Sequence, residues 1–186
     1  MNFRALIFLS AAAVSLSACG GSGGDLIEKT TTQAPINSEA LAPGTYKLTF
    51  SAISTARLAA PISGIDVAVK FPAGILVHTD SGGTGQITST SVTPGSAILA
   101  TSLAFGVYSS STHTAYLSMA TTQETYRGGQ FLNVLFTVAS GTNVTPNDIY
   151  LLNSPYSNYS VVGLDTAIHS SVVMTGSVRT TLGVER

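Results

Sequence analysis

Three stretches of this chain alternate apolar and polar residues one for one, and that period decides what the chain can fold into. In TYKLTFSAI, Tyr46, Leu48 and Phe50 alternate with Lys47, Thr49 and Ser51. Ile65, Val67, Val69 and Phe71 repeat the pattern in GIDVAVKFP, and Leu132, Val134, Phe136 and Val138 repeat it in QFLNVLFTVA. A period of two sends successive side chains to opposite faces of a sheet, so each stretch predicts a strand with one row in a core and one toward solvent. Leu48, Phe50, Val67, Val69, Leu132, Val134 and Phe136 are the expected core.

Further strands are expected at ILVHT, QITSTSV, AILATSLAF, HTAYLSMAT, DIYLLN, YSVVGL and SVVMTGSV. Turn chemistry separates them, in FPAG, DSGGTG, TPGS, YRGG, ASGTNVTPND and NSPYSN. No window of usable length carries an amphipathic helical period. Many short strands at this spacing predict an all-β domain, an antiparallel sandwich in preference to a membrane barrel, whose lipid-facing belt needs longer and more regular apolar rows.

The first residues follow a different rule. MNFR supplies a cation, ALIFLSAAAV an apolar run too short for the roughly 20 residues that span a bilayer, and LSA the small residues of a cleavage region. This is the layout of an export signal. The chain's only cysteine, Cys19, comes next. Leu16, Ser17, Ala18 and Cys19 resemble the lipobox of bacterial lipoproteins, in which the signal is cut before the cysteine and the cysteine is lipidated. Two or more acyl chains anchor a protein stably where one does so only marginally. Gly20 stands where an aspartate would retain such a protein in the inner membrane, so the resemblance implies the outer membrane.

From GGSGGD to TTTQAPINSEALAPG the chain is polar and Gly-rich and carries Pro35 and Pro43, which reads as a flexible tether of root-mean-square span about 25–30 Å. The expected organisation is a signal peptide at 1–18, lipidated cysteine and tether at 19–43, sandwich at 44–182 and a short tail at 183–186.

Few residues are suited to catalysis. Charged residues are 9% of the chain and the cations are scattered, so no basic patch recruits nucleic acid. His78, His113 and His169 are far apart and form no metal-binding pair, and Asp66, Asp80, Asp148 and Asp165 belong to no calcium loop. There is no nucleophile elbow, no SxxK and no phosphate-cradling glycine loop. The expectation is a protein without enzymatic activity, metal or cofactor. Tyr150, Tyr156 and Tyr159 gather in DIYLLNSPYSNYS, read as an exposed loop whose aromatic faces could stack on a sugar or anchor a protein. A carbohydrate-binding module is therefore the alternative reading.

PISGIDVAVKFPAGILV and LSMATTQETYRGGQFLNVLFTVASGT resemble the two most recognisable stretches of cohesin-type domains. The matching positions are Gly64, Asp66, Val69 and Phe71, then Gly128, Gly129, Leu132, Val134, Phe136 and Val138. The resemblance runs over most of 44–178 and rests on core and turn residues. It implies a jelly-roll sandwich of about nine strands that recognises a protein on a sheet face, as cohesins hold a calcium-loaded dockerin. QITSTSVTPGSAILATSLAF matches no dockerin-contact pattern, so the resemblance carries fold residues across and no binding residues. Its implied function is a membrane-anchored display domain with a dockerin-like or envelope protein as partner, or a polysaccharide on the alternative reading.

Overall fold

In the computed structural model the alternating stretches are strands, and they pair into two antiparallel sheets. The structure describes residues 39–154 and 158–186. The cleavage motif Leu16, Ser17 and Ala18, Cys19, most of the expected tether and Tyr156 lie outside the described residues. In chain order the strands are β1 (Gly44–Ser54), β2 (Ile62–Lys70), β3 (Ile75–Val77), β4 (Val92–Pro94), β5 (Leu103–Ser109), β6 (Thr114–Ala120), β7 (Gly129–Val138), β8 (Tyr159–Asp165), β9 (Ser170–Val173) and β10 (Val178–Glu185). One helix, α1 (Pro146–Leu152), lies between β7 and β8.

The first sheet has the order β10-β1-β7-β3, with β4 also on β7. β3 pairs with Phe136–Val138 and β4 with Leu132–Val134, so the two short strands follow one another along one side of β7. The second sheet has the order β5-β6-β2-β8-β9. The fold is a jelly-roll-type sandwich, and the expected core residues fill the space between its sheets: Leu48, Phe50, Val69, Leu132, Val134 and Phe136 have no exposed surface. Phe136 stacks on Tyr46 with ring centroids 5.8 Å apart and meets Phe71, the residue just after β2, at the same distance.

A bulge adds one residue to this core. The β1–β7 register passes from Phe50↔Leu132 to Ser51↔Gln130, leaving Phe131 as the extra residue. Phe131 and Leu132 are both fully buried, and the Phe131 ring packs 6.2 Å from Phe50. Turns come where glycine allows them. Gly74 in FPAG holds φ at +88°, and a β-carbon there would strike the Thr142 side chain.

Several strand expectations are corrected. DIYLLN is the body of α1, because Thr145 and Asp148 form a capping box with Pro146 at the first turn. QITSTSV yields only the isolated bridges Thr79↔Ile87 and Gln86↔Val107 and, at its end, Val92 of β4. In AILATSLAF the strand begins only at Leu103, and Ile98 is buried in a turn before it. SVVMTGSV is two strands in different sheets, since a 3-10 turn at Thr175–Ser177 carries the chain from β9 across to β10. β10 runs to Glu185, so the expected tail from 183 is mostly strand. Within the segment read as tether, Leu41 donates its amide to the Val144 carbonyl at 2.7 Å and packs against the core.

Candidate functional site

The outer face of the second sheet is built by the side chains that alternation sends away from the core. β2 contributes Gly64, Asp66, Ala68 and Lys70, β6 contributes Tyr116, Ser118 and Ala120, and β5 contributes Leu103, Phe105 and Val107. Register places them in rows. Phe105, Ser118, Asp66 and Ser160 stand side by side across four strands, with Val107, Tyr116 and Ala68 in the next row. On the other flank Leu103, Ala120, Gly64, Val162 and Val173 continue the face.

This face is unusually apolar for a water-exposed one. Leu103 is 65% exposed, Phe105 49% and Tyr116 56%. Single exposed apolar residues mean little, but here neighbours in a ladder stand about 5 Å apart and form a continuous patch, a feature suited to recognition. The first sheet's outer face contrasts with it. Lys47, Thr49, Ser51, Asn133, Thr137 and Thr181 give that face hydroxyls, an amide and the 2.7 Å Lys47–Glu185 ion pair, interrupted by the exposed Ile53 and Leu76.

Between the apolar flanks runs a shallow groove lined by Asp66, Ala68, Lys70, Tyr116, Ser118 and Ser160. Small residues on β2 and β8 make its floor. The Asp66 carboxylate is held in place there, accepting the Ser118 hydroxyl at 2.6 Å and the Ser160 hydroxyl at 3.2 Å. Lys70 lies two rows along the same strand face. The arrangement offers apolar area for burial and one oriented carboxylate for a donor, which suits recognition.

Of the tyrosines singled out in the sequence, Tyr150 and Tyr159 are among the described residues, and both are partly buried. Tyr150 is half-buried on α1. Tyr159 is on β8, packs against the core and donates its phenol to the Val178 carbonyl at 3.0 Å. The exposed aromatics of the face, Phe105 and Tyr116, escaped the sequence reading. Their signal is an apolar residue at alternate positions on both sides of a strand, visible in LAFGVYS once its inward row is known to be Ala104, Gly106 and Tyr108.

The histidines are dispersed. His78 shares a hydrogen bond with the Thr137 hydroxyl at 3.1 Å, His113 meets the Tyr108 phenol at 3.3 Å, and His169 sits in the β8–β9 turn at φ +50°. Among the described residues no three His, Cys, Asp or Glu side chains converge on a metal position. No helix among them is long and apolar enough to cross a membrane. Burial raises the Tyr126 phenol far above its ordinary pKa, and that neutral hydroxyl donates to the Gly129 carbonyl at 3.0 Å.

No protein-family model matches the chain, and no curated protein matches it in sequence. Similar solved structures include a type II cohesin in a cohesin–X-dockerin complex from Acetivibrio cellulolyticus, with 17% identity and a TM-score of 0.43 over 78% of this chain and 81% of that one. A second is the second type II cohesin module of a cellulosomal adaptor scaffoldin from the same organism, with 20% identity and a TM-score of 0.39 over 78% of this chain and 79% of that one.

Proposed function

We propose that this chain is a lipid-anchored, non-enzymatic envelope protein displaying a cohesin-like protein-interaction domain, and that partners dock on the outer face of its second sheet. The observation that carries the reading is the apolar patch of Leu103, Phe105, Val107 and Tyr116 beside the oriented Asp66 carboxylate. The cohesin-type motif residues, Gly64 to Phe71 and Gly128 to Val138, support the narrower form, in which the partner is dockerin-like. The experiment is capture of calcium-loaded dockerin modules by the immobilised domain. Binding that Phe105→Asp abolishes and Leu76→Asp on the opposite sheet spares supports the reading; equal loss in both variants, or no binding by any dockerin, rejects the narrow form.

The anchor rests on LSAC, with Cys19 as the first residue of the mature chain and Gly20 directing it to the outer membrane. Intact-mass analysis of membrane-extracted protein is expected to give a chain that starts at Cys19 and carries diacylglyceryl and an acylated amino group. A mature chain with a free Cys19 thiol is incompatible with it.

A further inference from the structure

The sandwich has four sheet edges, and three are blunted in the ways folded proteins protect an unpaired edge. β3 and β4 are three residues each, and β4 ends in Pro94. β9 has four residues. β5 is longer, but the segment before it covers its outer side: Ile87 donates to the Gly106 carbonyl at 2.9 Å and Tyr108 to the Gly85 carbonyl at 2.7 Å. β10 is the exception. It is eight residues long and pairs, among the described residues, with β1 alone. Its sequence VRTTLGVE is rich in β-branched residues, balanced in charge and without proline, the composition of a segment that pairs readily.

The ladder identifies which backbone groups are open. Thr55 donates to the Ser177 carbonyl at 2.9 Å in continuation of the β1–β10 register. Antiparallel pairs alternate between bonded and non-bonded, so the odd-numbered residues of β10 bond to β1, while Thr180, Leu182 and Val184 aim their N–H and C=O groups outward. The Val178 carbonyl also points outward, where the Tyr159 phenol takes it.

We propose that β10 is a homodimerisation edge, on which a second copy of this chain adds its own β10 antiparallel about a two-fold axis at Leu182. The charges select this occupant and register. With Leu182 on the axis, Arg179 faces Glu185 of the second copy, so that each Glu185 carboxylate, which Lys47 of its own chain already holds at 2.7 Å, stands between two cations, and symmetry repeats the arrangement. Both Arg179–Glu185 pairs fall at a non-hydrogen-bonded position, where Cα atoms approach to about 4.5 Å. Thr180 faces Val184 and Thr181 faces Gly183 of the second copy, while the half-buried Leu182 and Val184 gain apolar cover on the inner side. The edge belongs to the first sheet, so the partner face on the second stays open in the dimer.

Sedimentation velocity of the full chain in non-ionic detergent tests this. Wild type is expected to dimerise, Arg179→Glu and Glu185→Arg each to weaken the dimer about tenfold, and the double reversal to restore it. Leu182→Cys in a Cys19→Ser background is expected to form an intermolecular disulfide, because Cα atoms across a bonded pair lie about 5.5 Å apart. A chain that stays monomeric at all concentrations, a dimer unmoved by both single reversals, or a dimer dissolved by Phe105→Asp overturns the proposal. Loss of dockerin capture with the dimer intact counts only against the partner face.

Discussion

At the residue scale, Thr180 lacks what its surroundings demand. Its side chain is 2% exposed and its hydroxyl has no hydrogen-bond partner among the described residues. A buried unsatisfied hydroxyl costs about 1–3 kcal/mol, and valine has nearly its shape. Thr180→Val is expected to stabilise the domain by about 1 kcal/mol in urea unfolding. Gly106 shows the opposite limit. A β-carbon there would stand 2.6 Å from the Leu117 side chain and 2.8 Å from the Tyr116 carbonyl, so Gly106→Ala is expected to destabilise by about 1–3 kcal/mol, measured the same way. Neither site is visible in the sequence, where one threonine in a hydroxyl-rich chain and one glycine in a strand look ordinary. Their cost arises from atoms distant in the chain.

At the element scale, α1 explains why DIYLLN defeats a strand reading. Its four apolar or aromatic residues in a row fit either structure, and the deciding signal lies just upstream, in Thr145, Pro146 and Asp148. The Asp148 carboxyl is held below its ordinary pKa, first by the Thr145 backbone N–H and then by the Thr145 hydroxyl. A folded-state pKa below the unfolded value means that its stabilisation is present above the unfolded pKa and is lost as pH falls through the folded one. Asp148→Ala is therefore expected to lower the urea midpoint at neutral pH, and the gap to wild type is expected to close below about pH 4.

The other end of α1 is tied to the sheet. Asn153 accepts the Lys70 amide at 2.8 Å and donates to the Lys70 carbonyl at 2.9 Å, so a side chain completes the end of β2 as a neighbouring strand would. Asn153→Ala leaves both groups without that partner and is expected to cost about 2 kcal/mol, read as a fall in the urea midpoint.

At the scale of the whole molecule, the two outer faces differ although the sequence writes both in the same alternating code. The sandwich was legible because period-two rows are local, and the inward rows of β1, β2 and β7 needed only their own residues to be recognised. The chemistry of the second face was not legible, because Phe105, Ser118, Asp66 and Ser160 come from four strands and meet only through register. Since Phe105 is half exposed, Phe105→Asp is expected to leave the unfolding midpoint within about 0.5 kcal/mol of wild type while removing partner binding. The sequence by itself determined the all-β architecture and the core rows, both of which depend on neighbours a few residues apart. Tertiary structure alone decided which strands share a sheet, which apolar residues remain in water and which edge has no second strand among the described residues. Those depend on pairings between distant segments, and the side-chain period cannot state them.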